Sequence, residues 1–251
     1  MTWIVHTGDA VEIMRTLPSA SVDCVVTDPP YGDTSLSWDS KVDGWLPEAK
    51  RLLRPSGSLW FFTSMRHLLH LAAALDGWSY AQDIVWEKQN GSSSMADRFR
   101  RVHEHAVQIY PAGRPWSEIY HEPQFTMDAK AKSVRRKNKP SHWGGIANAI
   151  YTSTAGGPRL ARSVMQVKSC HGHAIHPTQK PEGIVKPLVL YSCPKGGVVL
   201  DPFAGSGTTG AVCINNQRNF IGIELSPEYA ALARNRIAAS DPIGEQQRIL
   251  A

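Results

Sequence analysis

Val22-Asp23-Cys24-Val25-Val26-Thr27-Asp28-Pro29-Pro30-Tyr31 is the stretch of this chain that decides its fold. Its apolar first half predicts a buried strand. Pro29 and Pro30 end that strand, because proline fixes φ near about −65° and lacks a backbone N–H. The strand therefore ends in a rigid pair of acceptors, the Asp28 carboxylate and the Pro29 carbonyl, with the ring of Tyr31 beside them.

Two neighbouring acceptors suit an exocyclic amino group, which has two N–H bonds to donate. An aromatic face suits the planar base that carries such a group. The residues Asp28, Pro29, Pro30 and Tyr31 are therefore the candidate catalytic group. A Pro-Pro turn in which Asp28 only caps a helix is the alternative that this motif alone leaves open.

A second motif follows a predicted buried strand at residues 198–200. It is the tight loop Asp201-Pro202-Phe203-Ala204-Gly205-Ser206-Gly207-Thr208-Thr209, which leads into a predicted helix at 210–215. Glycines in such a loop let the backbone approach a ligand and leave the amino end of the helix open. Glu224 ends the next predicted strand, 19 residues after Gly205. This is close to the interval of about 20 residues at which an acidic side chain reaches the ribose of an adenosine-containing ligand. The absence of Gly-Lys-Ser or Gly-Lys-Thr argues against a P-loop.

Strands and helices alternate over most of the remaining chain. The pattern predicts strands at 3–6, 58–63, 80–86, 105–110 and 220–223, helices at 10–17, 44–53, 65–75, 182–193 and 227–239, and a turn at 54–57. Pro187 should kink its helix or delay the start. The alternation is typical of an α/β domain with a mostly parallel sheet. Asp9 follows the first strand. It is either a helix N-cap or a residue that binds a ligand at the carboxyl edge of the sheet, and one residue can do both.

Basic charge is concentrated in the middle of the sequence. The net charge is −5 over residues 1–87, +11 over 88–200 and −1 over 201–251. Residues 111–173 lack regular periodicity and contain six closely spaced basic residues, Lys130, Lys132, Arg135, Arg136, Lys137 and Lys139. Lysine and arginine on such a segment make phosphate contacts. We therefore predict an insert at 111–173 that faces nucleic acid, within a domain formed by 1–110 and 174–251. A solvated charged face is the alternative interpretation of the charge imbalance, and a disordered loop is the alternative to the insert.

The cysteines and histidines do not indicate a metal site. The four cysteines lack CxxC spacing, and Cys170-His171-Gly172-His173 with His176 matches no common zinc pattern. We therefore expect no bound metal, and unpaired thiols in a reducing cytoplasm. No apolar stretch reaches the length of a membrane span, and no signal segment is evident.

Three motifs in one order resemble the β-class DNA amino-methyltransferases. They are Asp28-Pro29-Pro30-Tyr31, His176-Pro177-Thr178-Gln179-Lys180-Pro181 and residues 201–209. The resemblance runs from Ile4 to Ala239 and leaves out only the insert. It implies a Rossmann-like methyltransferase sheet, circularly permuted so that the catalytic motif precedes the cofactor motif, with an irregular DNA-recognition insert between them. It also implies S-adenosylmethionine as the methyl donor, and chain ends that lie close together.

The resemblance assigns a role to each motif. Asp9 should lie near the cofactor adenine, and Glu224 should bind its ribose. The other residues implied at the cofactor are Asp28, Thr178, Lys180, Asp201, Pro202, Phe203, Ala204, Gly205, Ser206 and Gly207. Residues 102–105 resemble a further family segment near the target base.

The resemblance also implies the substrate, which is adenine N6 in duplex DNA. Family members that act on cytosine usually carry Ser at the position of Asp28. The base must be flipped out of the duplex to be reached, and the direct transfer needs no covalent intermediate. N4 of cytosine is the alternative target, and an RNA substrate is a less favoured one. A homodimer, a restriction endonuclease partner, and a bacterial or phage-infected cell as the setting are left open.

Overall fold

The computed structural model describes residues 1–32, 40–90, 97–135, 150–170, 172 and 174–240. Its contacts divide the chain into two compact units. The larger unit consists of Met1–Glu122 and of the chain from Ser163 on, and the smaller unit is Pro123–Arg162. No helix in the described part is both long enough and apolar enough to cross a membrane.

Regular structure follows the predicted alternation closely. The strands are β1 (Trp3–Thr7), β2 (Val22–Thr27), β3 (Leu53–Thr63), β4 (Trp78–Glu87), β5 (His103–Pro111), β6 (Phe125–Thr126), β7 (Lys132–Arg135), β8 (Ile150–Ser153), β9 (Arg159–Leu160), β10 (Val164–Gln166), β11 (Val198–Asp201) and β12 (Asn219–Glu224). The helices are α1 (Ala10–Thr16), α2 (Trp45–Leu52), α3 (Met65–Leu71), α4 (Glu182–Ser192), α5 (Thr208–Asn215) and α6 (Pro227–Ser240). Short 3-10 turns lie at Ala72–Leu75 and Trp116–Glu118.

Eight strands of the larger unit form one sheet in the order β1-β12-β11-β2-β3-β5-β4-β10. The first five of these are mutually parallel, β5 is antiparallel to both of its neighbours, and β10 is parallel to β4. The predicted α/β architecture with a mostly parallel sheet is confirmed. After β11 the chain continues to β12, its neighbour on one side in the sheet, whereas after β2 it continues to β3 on the opposite side. The strand order therefore reverses between β11 and β2. Ligands bind at the carboxyl ends of the strands at such a reversal.

Helices cover both faces of this sheet. On one face, Met14 of α1 and Ala49 of α2 belong to a buried apolar cluster. On the other face, Leu188 of α4, Val212 of α5 and Ile237 of α6 belong to a second buried apolar cluster. The central strands β2 and β3 have apolar side chains on both faces, as expected for strands covered on both sides.

The structure departs from the predicted elements in three places. β3 begins at Leu53, so residues 54–57, predicted as a turn, form the first part of a strand whose register against β2 shifts. Gly57 permits this path, because a Cβ there would lie 2.8 Å from the carbonyl oxygen of Asp23. The helix predicted at 65–75 tightens into a 3-10 turn after Leu71. α4 begins at Glu182 and contains Pro187, which therefore does not delay its start.

The smaller unit contains two antiparallel strand pairs, β6 with β9 and β7 with β8. Between them, the buried Ala129 donates its N–H to the Gly157 carbonyl at 3.2 Å and accepts from the Gly156 N–H at 2.8 Å. An ion pair joins Arg159 to Asp128 at 2.9 Å. In the described part of this unit, backbone hydrogen bonds, the bond from the Ser153 hydroxyl to the Lys130 carbonyl and this ion pair thus hold the strands together.

This unit is narrower than the insert predicted at 111–173. Tyr120 donates its N–H to the carbonyl of Ser56, and Glu122 donates to the carbonyl of Tyr191, so residues 111–122 are tied to the larger unit. On the other side, β10 extends the main sheet. Recognition of DNA by the insert stays a prediction.

Candidate active site

The carboxyl ends of β1, β12, β11 and β2 border one cavity. Its empty space, including the part open to solvent, is about 1140 Å³. Of the residues predicted to contact the cofactor, those that line it are Asp9, Asp28, Thr178, Lys180, Asp201, Pro202, Phe203, Ala204, Gly205, Ser206 and Glu224. Segments far apart in the sequence therefore meet in one place, at the reversal of strand order.

Gly207 is the one predicted cofactor residue that does not line the cavity. Its φ is +73°, and a Cβ on it would lie 2.9 Å from the Cα of Ala233 in α6. Gly205 differs, because the atoms nearest to a Cβ there belong to the ring of His176, at 3.7 Å. Gly207 thus allows the loop to pack on α6, whereas Gly205 faces the cavity; a cofactor role for either stays a prediction.

Glu224 is held at the end of β12 by two backbone groups. Its Oε2 accepts from the Gly205 N–H at 2.8 Å, and its Oε1 accepts from the Ser226 N–H at 2.9 Å. Each carboxylate oxygen retains a second lone pair, so the group can still accept from a ligand. Asp9 also lines the cavity while its Oδ1 caps α1 by accepting from the Glu12 N–H at 2.9 Å. The cap is therefore present, and the ligand role stays a prediction.

Asp201 joins the two halves of the cavity floor. Its Oδ1 accepts from the Thr27 hydroxyl at 2.7 Å and from the Phe203 N–H at 3.2 Å, and its Oδ2 accepts from the Thr209 hydroxyl at 2.7 Å. Burial raises the pKa of Asp201 to about 6, although these hydrogen bonds oppose the rise. The bond to Thr27 crosses from β11 to β2, so Asp201 fixes the glycine loop relative to Asp28.

His176 and Tyr229 form a wall that the sequence did not assign to the cavity. Their rings meet edge to face with centroids 4.3 Å apart. The Nδ1 of His176 accepts from the Thr178 N–H at 3.3 Å. Burial, with the nearby charge of Lys180, lowers the pKa of His176 to about 4, so its ring is neutral near pH 7. His176 begins the motif at 176–181 that carried the resemblance, but the sequence analysis assigned it no role at the cofactor.

Asp28 lies between a phenol and an ammonium group. Its Oδ1 accepts from the Tyr31 hydroxyl at 2.5 Å, and its Oδ2 forms an ion pair with Lys180. Burial raises the pKa of Asp28, and the charge of Lys180 opposes this rise. The ring of Tyr31 lies against that of His67, with centroids 4.8 Å apart. The backbone of the motif is fixed in addition by Pro29, which is buried, and by Pro30, which lines the cavity.

Lys180 is shared between Asp28 and a second carboxylate. The Oε2 of Glu104 lies 3.5 Å from the Lys180 Nζ, and its Oε1 pairs with Lys88. Burial by itself would raise the pKa of Glu104, but the charges of Lys180 and Lys88 outweigh it and hold that pKa low. The segment 102–105 was predicted near the target base, but nothing in the sequence indicated that Glu104 meets Lys180.

The predicted DNA-contacting residues are only partly described. Lys130 and Lys132 are exposed in the smaller unit, and Arg135 ends β7. Arg136, Lys137 and Lys139 lie outside the described residues, as do His171 and His173 of the histidine-rich segment. In the ranges that the structure describes, no group of three His, Cys, Asp or Glu side chains could hold a metal ion.

Comparison with known proteins finds the same fold and sequence family. Residues 22–235 match the family of N6 and N4 methyltransferases described as DNA methylase. The chain is 28% identical over 264 residues to the type II methyltransferase M.HinfI of Haemophilus influenzae, covering 94% of this chain and 68% of that protein. It is 30% identical over 288 residues to the type II methyltransferase M.Cfr9I of Citrobacter freundii, covering 93% and 87%.

A solved structure agrees with this assignment. The complex of M1.HpyAVI with S-adenosylmethionine superimposes with a TM-score of 0.61 and 28% identity, over 94% of this chain and all of that one. The match confirms the Rossmann-like methyltransferase fold expected from the resemblance. The family match covers most of the chain and includes the Asp28 motif, the glycine loop and Glu224. This chain therefore belongs to the family of N6 and N4 DNA amino-methyltransferases, whose methyl donor is S-adenosylmethionine.

Proposed function

We propose that this enzyme transfers a methyl group to N6 of adenine in duplex DNA, with Asp28, Pro29, Pro30 and Tyr31 as its catalytic group. The observation that carries the proposal is the place of Asp28 at the end of β2, on the wall of the cavity at the strand reversal. A carboxylate at this point lies where a methyl donor bound in the cavity and an incoming base would meet. The choice of adenine over cytosine rests on Asp28, where the cytosine-acting relatives usually carry Ser.

The residues that line the cavity fit S-adenosylmethionine. Glu224 has acceptors left for a pair of ribose hydroxyls, and Phe203 and Leu225 offer apolar surface to a planar adenine. Thr178 and Ser206 offer hydroxyls for the polar amino-acid end. When bound, the cofactor supplies an electrophilic methyl group on a positively charged sulphur.

The protein's part in the reaction is to make a poor nucleophile available. The lone pair of the adenine amine is delocalised into the ring, and positive charge develops on the nitrogen as it attacks. Asp28 and the carbonyl of Pro29 accept the two N–H bonds and stabilise that charge. The Asp28 carboxylate can take the proton that the amine must lose. Tyr31, held by its hydroxyl on Asp28 and by the ring of His67, supplies the face on which the base stacks.

DNA has to present the base outside the helix. Flipping costs a few kcal/mol of stacking and pairing, which contacts to the displaced strand and backbone must offset. We assign these contacts to the insert, with Lys130, Lys132, Arg135, Arg136, Lys137 and Lys139 binding phosphates. A homodimer, a restriction endonuclease partner and a cytoplasmic setting remain predictions, and a measurement of mass in solution tests the first.

The test is to identify the methylated nucleoside. Purified protein is incubated with isotopically labelled S-adenosylmethionine and unmethylated duplex DNA, and the DNA is digested and analysed by mass spectrometry. Labelled N6-methyladenine supports the proposal. N4-methylcytosine would keep the mechanism but refute the use of Asp28 to choose the base. If no DNA base is labelled, the proposal fails and RNA is the next substrate to try.

A further inference from the structure

Four side chains of alternating charge run outward from the catalytic carboxylate. Asp28 pairs with Lys180, Lys180 lies beside Glu104, and Glu104 pairs with Lys88. All four side chains are largely buried, with exposures of 20%, 10%, 15% and 14% in that order. We call this set the charge row. In its ionised form it has no net charge, although it contains two ammonium groups.

The outer half of the charge row is fixed by the sheet. Glu104 is on β5, paired in register with Trp86 on β4. Lys88 follows β4 directly, donates its N–H to the Val102 carbonyl at 2.7 Å, and holds its ammonium 4.8 Å from the centre of the Trp86 ring. Two strands and an aromatic ring therefore keep this ion pair in place.

The inner half faces the cavity. Lys180 and Asp28 line it, and the Lys180 ammonium also lies 5.2 Å from the centre of the Phe62 ring, which lines it too. Glu104 and Lys88 are not among the lining residues. They can therefore act on a ligand only through Lys180 and through the field that their charges create.

That field is important because the methyl donor and its product differ in charge. S-adenosylmethionine carries one more positive charge, on sulphur, than S-adenosylhomocysteine, and the two are otherwise alike except for the methyl group. An unbalanced ammonium next to the cavity would repel the sulphonium and leave the neutral thioether unaffected. A balanced row removes that penalty, and buried charges are screened only weakly by salt.

We propose that Glu104 and Lys88 are positioning residues whose opposite charges keep the charge row neutral, so that the cavity neither repels the sulphonium donor nor binds it too tightly relative to the thioether product. This rests on the proposed placement of the donor in this cavity. It goes beyond it by assigning a role in donor and product exchange to two residues that touch neither. Glu104 favours the cation, and Lys88 limits that preference so that product can leave and donor can enter.

The test compares the affinities of the two ligands in charge variants. Dissociation constants for S-adenosylmethionine and S-adenosylhomocysteine are measured by calorimetry on the full chain, and their ratio, donor over product, is compared. Glu104→Gln leaves one extra positive charge and should raise the ratio roughly tenfold, the size expected for two unit charges about 12 Å apart at an effective dielectric constant of about 20. Lys88→Met leaves one extra negative charge and should lower the ratio.

The double variant Glu104→Gln with Lys88→Met separates charge from structure. It removes one charge of each sign, so the ratio should return close to that of the unsubstituted protein. If the substitutions damaged the structure, their effects would instead add up in the double variant, and the binding of both ligands would weaken to the same extent. Glu48→Gln is the matched control, since Glu48 pairs with Arg51 on α2 and does not line the cavity. Its ratio should not change.

Circular dichroism establishes that each variant is folded before binding is measured. If the Glu104 variant does not fold, the direction in which the ratio changes in the Lys88 variant decides the test. Ratios that stay equal in both single variants, or that move in the same direction, overturn the inference. Neither result affects the identity of the methylated nucleoside, which is measured with the unsubstituted protein. Failure of this inference and failure of the proposed function are thus distinguishable.

Discussion

Asp28 is the residue on which the chemistry depends, and its substitution gives a direct prediction. Asp28→Ala removes the carboxylate that accepts from the amine, so methyl transfer should fall below detection, by more than about a thousandfold if the loss is several kcal/mol of transition-state stabilisation. Binding of S-adenosylhomocysteine should stay within a few-fold, because Glu224 and the glycine loop remain.

Tritium transfer to DNA and calorimetric titration with S-adenosylhomocysteine measure the two effects. Asp76→Ala is the control, since Asp76 is exposed, does not line the cavity, and its carboxylate accepts from the neighbouring Gly77 N–H. Substantial transfer by the Asp28 variant would show that the carboxylate does not have the proposed role.

Asp201 gives a prediction about stability and pH. An unfolded aspartate titrates near about pH 4, whereas burial raises the pKa of folded Asp201 to about 6. The folded protein therefore holds this proton more tightly than the unfolded chain does. The contribution to stability is complete below pH 4 and is lost as the pH rises through 6, by up to about 3 kcal/mol at about 1.4 kcal/mol per pKa unit.

Asp201→Asn removes this titration and keeps most of the hydrogen bonds. We expect the unsubstituted protein to lose stability relative to the Asp201→Asn variant between pH 4 and pH 7, as followed by urea unfolding at several pH values. The exposed Asp76→Asn provides the baseline. A difference between the two proteins that is constant over this range would mean that Asp201 titrates normally.

Local motifs made several site residues predictable, but their partners were not. Asp28 and Glu224 follow directly from short patterns at strand ends. The contact between Lys180 and Glu104 depends on the register of β5 and on the path of the chain before α4. Neither of these is encoded within a few residues of either side chain. Asp9 shows an intermediate case, because its cap is local whereas its place at the cavity depends on β1 pairing with β12.

At the scale of elements, the glycine loop and α6 form one packed structure. Gly207→Ala should destabilise the protein by about 2 to 4 kcal/mol, because it combines a left-handed backbone with a clash against Ala233. Gly205→Ala has the same kind of backbone, at φ +49°, but no contact closer than 3.7 Å. Its cost should be only about 1 to 2 kcal/mol.

Thermal and urea unfolding of the two alanine variants form a matched pair. Equal losses would mean that the backbone angle alone matters and that the packing of α6 on the loop contributes little. Arg236 of α6 also contacts the residue with which α5 begins. It donates to the Thr208 hydroxyl at 2.8 Å and pairs with Glu182 at 2.9 Å, so α6 also secures the starts of α5 and α4.

Elements with a long, clear period were predictable, and short ones were not. The helices and the central strands were located to within a few residues by their apolar patterns. β10 has only three residues, too few for an alternation to be recognised, and it is a strand because β4 offers it a free edge. The start of β3 was taken for a turn because Pro55 and Gly57 normally signal one.

At the scale of the whole molecule, the uneven distribution of charge predicts how DNA binding responds to salt. Replacing Arg135, Arg136 and Lys137 by Gln should weaken binding and reduce the slope of log affinity against log salt by about 0.9 for each phosphate that the protein no longer neutralises. Fluorescence anisotropy with a labelled duplex over a series of salt concentrations measures this slope.

The control for this measurement replaces Arg15, Lys186 and Lys195, three exposed basic residues outside the insert. This triple variant removes the same charge and should leave the slope nearly unchanged. Equal slopes for both triple variants would mean that the basic residues of the insert do not contact phosphate.

The permuted order of motifs also determines when the fold can be completed. Thr2, before β1, bonds to Asn219 at the start of β12, 217 residues away, and among the strands that the structure describes β1 pairs with β12 alone. The Thr27 to Asp201 bond likewise spans 174 residues. On the ribosome, β1 must therefore wait until β12 has been synthesised before the two strands can pair. Such long-range parallel contacts slow folding and leave apolar strands exposed meanwhile. The arrangement that brings the catalytic motif first thus lengthens the time for which apolar strands of the nascent chain stay unpaired.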